Sequence, residues 1–182
     1  MELTAEKFRT RDLAYIAVSV ALMAVCSWIA IPTAIPFTLQ TMALFLTLGL
    51  LGGRRGTLAV AAYILLGAVG APVFAEFSGG IGVLLRSTGG YIVGFFFTAL
   101  LMWSLEKVLG RDLPALGLSM VLGMVVYYIF GTAWFMVLYT RDTGAISLFT
   151  ALSWCVFPFI IPDLVKIALA LSLVSQLRRH VR

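Results

Sequence analysis

A chain of 182 residues that is 62% hydrophobic and only 12% charged, with mean hydropathy +1.06, does not fit a soluble domain, where about a quarter of residues are charged. It reads as one integral membrane domain over 1–182, with no remainder for a soluble one. Its net charge of +5 follows from loop topology, as the spans below make plain, and does not indicate nucleic-acid binding.

The N-terminus mixes Glu2, Glu6, Lys7, Arg9, Arg11 and Asp12. The charge-free run 13–31 follows, too long for the core of a signal peptide and long enough to cross a bilayer. Ala14, Ala17, Ala21 and Ala24 make a small-residue stripe along it, suited either to close packing inside the bundle or to docking a partner membrane protein. Pro32 and Pro36 then interrupt the chain and flank a plausible lid in an outward loop at 32–41. Runs 37–53 and 56–75 are the second and third spans. Segment 71–91 is too apolar for a solvated loop and too broken by glycine for a helix. Irregular backbone at membrane depth survives where protein buries it or where it lines a cavity, so this segment is expected to dip back and cap something. Runs 87–105, 113–140 and 143–177 complete the expected fold: an all-α bundle of six transmembrane helices.

With six spans both termini share a side. That side holds ten basic residues: Lys7, Arg9, Arg11, Arg54, Arg55, Lys107, Arg111, Arg178, Arg179 and Arg182. The other holds Arg86 and Arg141, and Lys166 lies within a span. Basic residues favour the cytoplasmic side, so both termini are expected there, in a multi-pass plasma-membrane protein.

Several chemistries are excluded. The three lysines follow Glu6, Glu106 and Val165, so no Gly-Lys phosphate-binding loop exists. The only histidine is His180, in a basic tail, so no Ser/His or Cys/His nucleophile pair and no metal site is expected. Cys26 and Cys155 lie in apolar runs and read as core thiols. Asp163 is the sole acid within a span, which rules out paired-aspartate proteolysis. Neither an enzyme nor a resident cofactor is expected.

The chemistry that remains is concentrated in Pro162-Asp163-Leu164-Val165-Lys166. A charge at membrane depth costs about 2.5–3.5 kcal/mol on insertion scales. Two opposite charges three residues apart share a helix face. They are either glue between helices or a clamp for a polar ligand group, with Asp163 accepting N–H donors and Lys166 donating to a carbonyl. Pro162 removes an amide donor beside them. Arg86 is either a snorkelling loop residue or a cation at a cavity mouth. Thr88, Gly89 and Gly90 open the next helix and offer backbone N–H groups to an anion. Glu76 reads as a solvated loop residue. Phe37, Phe74, Phe77, Tyr91 and Trp154 gather toward the outward side, as an interfacial belt or as the walls of an apolar ligand site.

Four segments in register carry a resemblance: Pro36-Phe37-Thr38-Leu39-Gln40-Thr41, Gly70-Ala71-Pro72-Val73-Phe74-Ala75, Ser78-Gly79-Gly80 with Thr88-Gly89-Gly90-Tyr91, and Pro162-Asp163-Leu164-Val165-Lys166. Together they resemble the BioY family, the biotin-specific S components of energy-coupling factor (ECF) transporters. The resemblance implies a prokaryotic substrate-binding subunit that captures biotin from outside. It implies a transmembrane coupling protein and two cytoplasmic ATPases as partners, and a docking use for the alanine stripe. The expected ligand residues are Asp163, Lys166, Arg86, Thr88, Gly89, Gly90, Tyr91, Phe37, Gln40, Phe74 and Trp154. Two positions depart from the pattern: Glu76 stands where a small residue is expected, and Arg86-Ser87 where Gly-Pro is expected, so Arg86 rests on its local chemistry alone. Biotin's ureido ring matches Asp163 and Lys166, although the reverse placement, carboxylate on Lys166, stays open. A self-contained channel or facilitator, an S component for another vitamin, and an assembly protein whose buried pair is only glue are the alternatives.

Overall fold

The computed structural model describes residues 9–31 and 37–179. The flanks of the expected lid (Pro32, Pro36), Lys7, His180 and Arg182 lie outside the described residues. Among these residues seven α-helices and one two-stranded ribbon are formed. Helix α1 (Thr10–Trp28) starts where the Asp12 carboxylate accepts the Arg9 amide at 3.0 Å, an N-terminal box that satisfies one orphan donor. Strands β1 (Ala30–Ile31) and β2 (Phe37–Thr38) pair antiparallel, Ala30 opposite Thr38 and Ile31 opposite Phe37. This short ribbon stands where an irregular loop was expected, and it fixes where Phe37 enters the bundle.

Helix α2 (Gln40–Ala68) is a hairpin of two arms, 40–51 and 53–68, that reverses at Gly52 with φ 78° and ψ 176°. Gln40 Nε2 donates to the Tyr63 hydroxyl at 2.8 Å, although a straight helix would hold these residues about 35 Å apart. Only glycine tolerates that backbone region, and a Cβ at Gly52 would also lie 2.7 Å from Arg111 Nη1. The second and third spans are thus joined more tightly than expected, and the third stops at Ala68 rather than 75.

The chain then forms a 3₁₀ turn at Ala75–Phe77 and the short helix α3 (Ile81–Leu84), so the 71–91 segment is partly helical. Helices α4 (Gly89–Leu109) and α5 (Leu113–Asp142) follow. A Cβ at Gly94 would lie 2.9 Å from the Tyr127 Cα, so glycine lets α4 and α5 approach backbone to backbone. The expected last helix, 143–177, is two: α6 (Leu148–Cys155) and α7 (Phe157–Leu177), separated at Val156. Pro158 has no amide to continue α6, but it is tolerated in the first turn of a new helix. Pro162 remains inside α7 and leaves the Pro158 carbonyl without its helical donor.

Among the described residues four helices, α1, α4, α5 and α7, are long and apolar enough to cross a membrane. Their outer faces expose Val18, Ile129, Val137 and Ile161, a belt that suits lipid and would be a liability in water. The interior packs Leu44, Phe45, Tyr63, Met120 and Tyr127. One end of the bundle is closed around the Gly52 reversal. Glu106 accepts the Gly53 amide at 2.6 Å, and Arg111 donates to the Gly49 and Leu50 carbonyls at 3.0 and 3.3 Å. Arg178 donates to the Arg111 carbonyl. The other end, where α2 begins, holds a cavity.

Candidate functional site

The cavity encloses about 330 Å³, at the lower bound of ordinary small-molecule sites, about 300–1,000 Å³. The start of α2 contributes Phe37, Thr38, Gln40 and Thr41, and α7 contributes Phe159, Asp163 and Lys166. Tyr91, Ile92 and Phe95 of α4 and Tyr127 and Tyr128 of α5 form the facing walls. Phe74, Ala75, Glu76, Ser78, Val83, Arg86 and Thr88 cover it from the 71–91 segment, which therefore caps a cavity.

Asp163 and Lys166 are 3% and 5% exposed and form a buried ion pair of 2.8 Å. They do not stand alone. Asp163 Oδ1 accepts from Lys166 Nζ and from the Thr41 hydroxyl at 3.2 Å. Oδ2 accepts from the Tyr127 and Tyr128 hydroxyls, both at 2.7 Å. Lys166 Nζ also donates to Thr41 Oγ1 at 3.2 Å and lies 4.1 Å from the centre of the Phe37 ring. Four donors fill both oxygens of one carboxylate, whose capacity is about four. The cluster joins α2, α5 and α7 and is electrically neutral, which is how a charge pair is kept at membrane depth.

What the cluster presents to the cavity is therefore specific. Lys166 Nζ, with bonds to Asp163 and Thr41, also lies against the Phe37 ring on the aromatic wall. Apolar surface surrounds this polar end: Phe37 stacks with Phe159 at 6.2 Å, and Phe95 meets Tyr127 edge-on at 5.6 Å. Such a site fits an uncharged group with donors and an acceptor, attached to an apolar body.

Of the residues expected from the sequence, Asp163, Lys166, Phe37, Gln40, Phe74, Tyr91, Thr88 and Arg86 all line the cavity. Gln40 and Phe74 also serve its frame: Gln40 holds Tyr63, whose hydroxyl donates to the Val73 carbonyl at 2.8 Å, and Tyr63 meets Phe74 edge-on. Tyr91 donates to the Cys155 carbonyl at 3.3 Å and ties α4 to α6. Arg86 is exposed at the mouth, its carbonyl held by Trp134 Nε1 at 3.0 Å. Glu76, expected to be solvated, is exposed but also lines the mouth.

Three expectations are corrected. Trp154 is 47% exposed and packs edge-on against Tyr139 outside the cavity, because the break at Val156 turns α6 away from α7. Gly89 and Gly90 do not line the cavity. They are contact points where a Cβ would meet the Leu84 carbonyl and the Trp134 side chain. The helix start is also not an open anion cradle, since the Gly89 and Tyr91 amides already bond to the Arg86 and Thr88 carbonyls at 2.9 and 3.1 Å. On α1, Ala14, Ala17 and Ala21 face outward while Ala24 is buried.

Sequence reasoning missed Tyr127 and Tyr128 as partners of Asp163, and Phe95 and Phe159 as walls. Two adjacent tyrosines at mid-span were the available signal, since a buried phenol needs a partner. Thr41 was seen as part of a motif but not as the hydroxyl between Asp163 and Lys166. Among the described residues no group of three His, Cys, Asp or Glu comes together that could hold a metal ion.

These features coincide with one set of known proteins. The model of the BioY family matches residues 2–182. The biotin transporter BioY of Thermotoga maritima is 36% identical over 177 residues, covering 93% of this chain and 96% of the relative. The probable biotin transporter BioY of Pyrococcus horikoshii is 34% identical over 171 residues, covering 93% and 98%. A crystal structure of the S component for biotin from an ECF-type ABC transporter superposes with a TM-score of 0.83 at 26% identity, over 96% of each chain. A transporter family points to a non-enzymatic role at a membrane. With its whole length matched and its fold shared, the chain belongs to the BioY family.

Proposed function

We propose that this chain is the biotin-capturing membrane subunit of an ECF-type importer, taking the vitamin from outside the cell for ATP-driven uptake. The observation that carries this reading is the Asp163–Lys166–Thr41 cluster at the buried end of a cavity of about 330 Å³ walled by aromatic side chains. Biotin's ureido ring offers two N–H donors and a carbonyl, and its thioether ring and alkyl chain need apolar walls. Lys166 donates to the ureido carbonyl, and a ureido N–H replaces one of the hydroxyls on Asp163. The carboxylate end then lies toward Arg86 and Thr88 at the mouth; the reversed pose would set the carboxylate on Lys166. Charge-assisted hydrogen bonds contribute about 1.5–3 kcal/mol each, enough for a few of them to support tight capture.

Topology supports the same reading. Counting the two arms of α2 separately with α1, α4, α5 and α7 makes six crossings. Arg54, Arg55, Lys107, Arg111 and Arg178 gather at the Gly52 end, which the positive-inside preference assigns to the cytoplasm along with both termini. The cavity at the opposite end then opens outward. A chain without a phosphate-binding loop needs ATPases on other subunits, and the outward face of α1 at Ala14, Ala17 and Ala21 is suited to meet a membrane coupling protein.

Calorimetric titration of the purified protein with biotin should give one site per chain, and mass spectrometry of the denatured protein should find biotin carried through purification. Absence of both would overturn the proposal.

A further inference from the structure

The mouth of the cavity carries two opposite charges that the capture of a plain carboxylic acid leaves half explained. Glu76 and Arg86 both line the cavity and both are exposed. Neither side chain makes an ion pair or hydrogen bond to another described residue.

Glu76 is held there at some cost. Its backbone is left-handed, φ 58° and ψ 33°, and Phe77 follows at φ 54°. Residues other than glycine rarely adopt that region, and such strain persists only where the surroundings enforce it. Here they do. The Phe74 amide bonds to the Ser78 carbonyl at 3.0 Å, and the Phe77 ring stacks on Trp28 at 4.8 Å. Trp28 is itself anchored, its Nε1 donating to the Pro72 carbonyl at 2.9 Å. The strained turn thus holds a carboxylate at the rim of the site.

With the ureido ring at the buried cluster, the carboxyl end of biotin points to the mouth, where both charges line the cavity. A free carboxylate is attracted by Arg86 and repelled by Glu76. An amide of biotin with an α-amino acid removes that conflict. Its linking amide is neutral, its α-carboxylate suits Arg86, and its α-ammonium suits Glu76. We propose that this chain also captures biotin amides ending in a zwitterionic amino-acid headgroup, of which biotin joined to the side-chain amine of lysine is the type. This deepens the biotin reading and rests on it. A cell importing such an amide needs an amide hydrolase to release the free acid.

The test is titration of unaltered protein, Glu76→Gln and Arg86→Gln with biotin and with Nε-biotinyl-lysine. Exposed charge contacts of this kind change Kd by about two- to fivefold each. Unaltered protein should bind both ligands. Glu76→Gln should tighten biotin and weaken biotinyl-lysine, and Arg86→Gln should weaken both. Biotin binding without biotinyl-lysine binding would overturn this proposal alone, as would Glu76→Gln shifting both ligands in one direction. Binding of neither ligand would overturn the biotin reading, and this proposal with it.

Discussion

The first arm of α2 has an ion pair at each end, and the two keep different partners. At the Gly52 end, Glu106 and Arg111 lie 3.6 Å apart and about one-third exposed. Their further bonds go to backbone: the Gly53 amide and the Gly49 and Leu50 carbonyls. A chain reversal orphans such groups, and these side chains satisfy them. At the Thr41 end, Asp163 and Lys166 are almost fully buried, and their side-chain partners besides each other are hydroxyls and an aromatic face around an open volume. Charges that bond to stranded backbone are structural; charges that bond to side chains on a cavity wall can exchange those partners for a ligand.

The largest expected effect breaks the clamp. Lys166→Met leaves Asp163 buried without its counter-charge, which should cost about 3–5 kcal/mol of stability and abolish biotin binding, as seen by thermal melting and titration. Next is the reversal. Gly52→Ala forces a side chain into a glycine-only backbone region against Arg111, and should cost about 1–3 kcal/mol. Protein that folds should bind biotin within about twofold of the parent, because the cavity is at the opposite end. Tyr127→Phe and Tyr128→Phe each remove one hydroxyl donor from Asp163 Oδ2. Each should cost about 1 kcal/mol of stability, and a change in biotin affinity would show that the hydroxyl helps set the carboxylate. The smallest effect is expected at the Asp12–Arg55 pair, 3.3 Å apart with Arg55 part-exposed. Arg55→Gln should lower stability by about 0.2–1 kcal/mol, an effect that shrinks in high salt, with biotin binding unchanged.

The helices and the buried pair were legible because membrane crossings write themselves as charge-free runs, and a charge inside one stands out. Arg54 and Arg55 marked the boundary between the second and third spans because they interrupt such a run, although the reversal itself lies at Gly52. Long-range partners were not legible. Tyr127 and Tyr128 reach Asp163 from 36 and 35 residues away, and no local pattern encodes which face of α5 meets α7. Trp154 was misplaced for the same reason. An aromatic on the outward side is either wall or belt, and the choice was made by the break at Val156, which Pro158 causes but whose angle the sequence does not state.

The most direct measurement replaces both charges at once. The double variant Asp163→Leu/Lys166→Met removes the pair without leaving either charge uncompensated, a change that is commonly neutral or stabilising for a structural pair. Thermal melting followed by calorimetric titration with biotin should find a protein that still folds, less stable than the parent because the Tyr127 and Tyr128 hydroxyls lose their acceptor, and that binds no biotin. A folded double variant that binds biotin as the parent does would contradict the account and return the pair to glue.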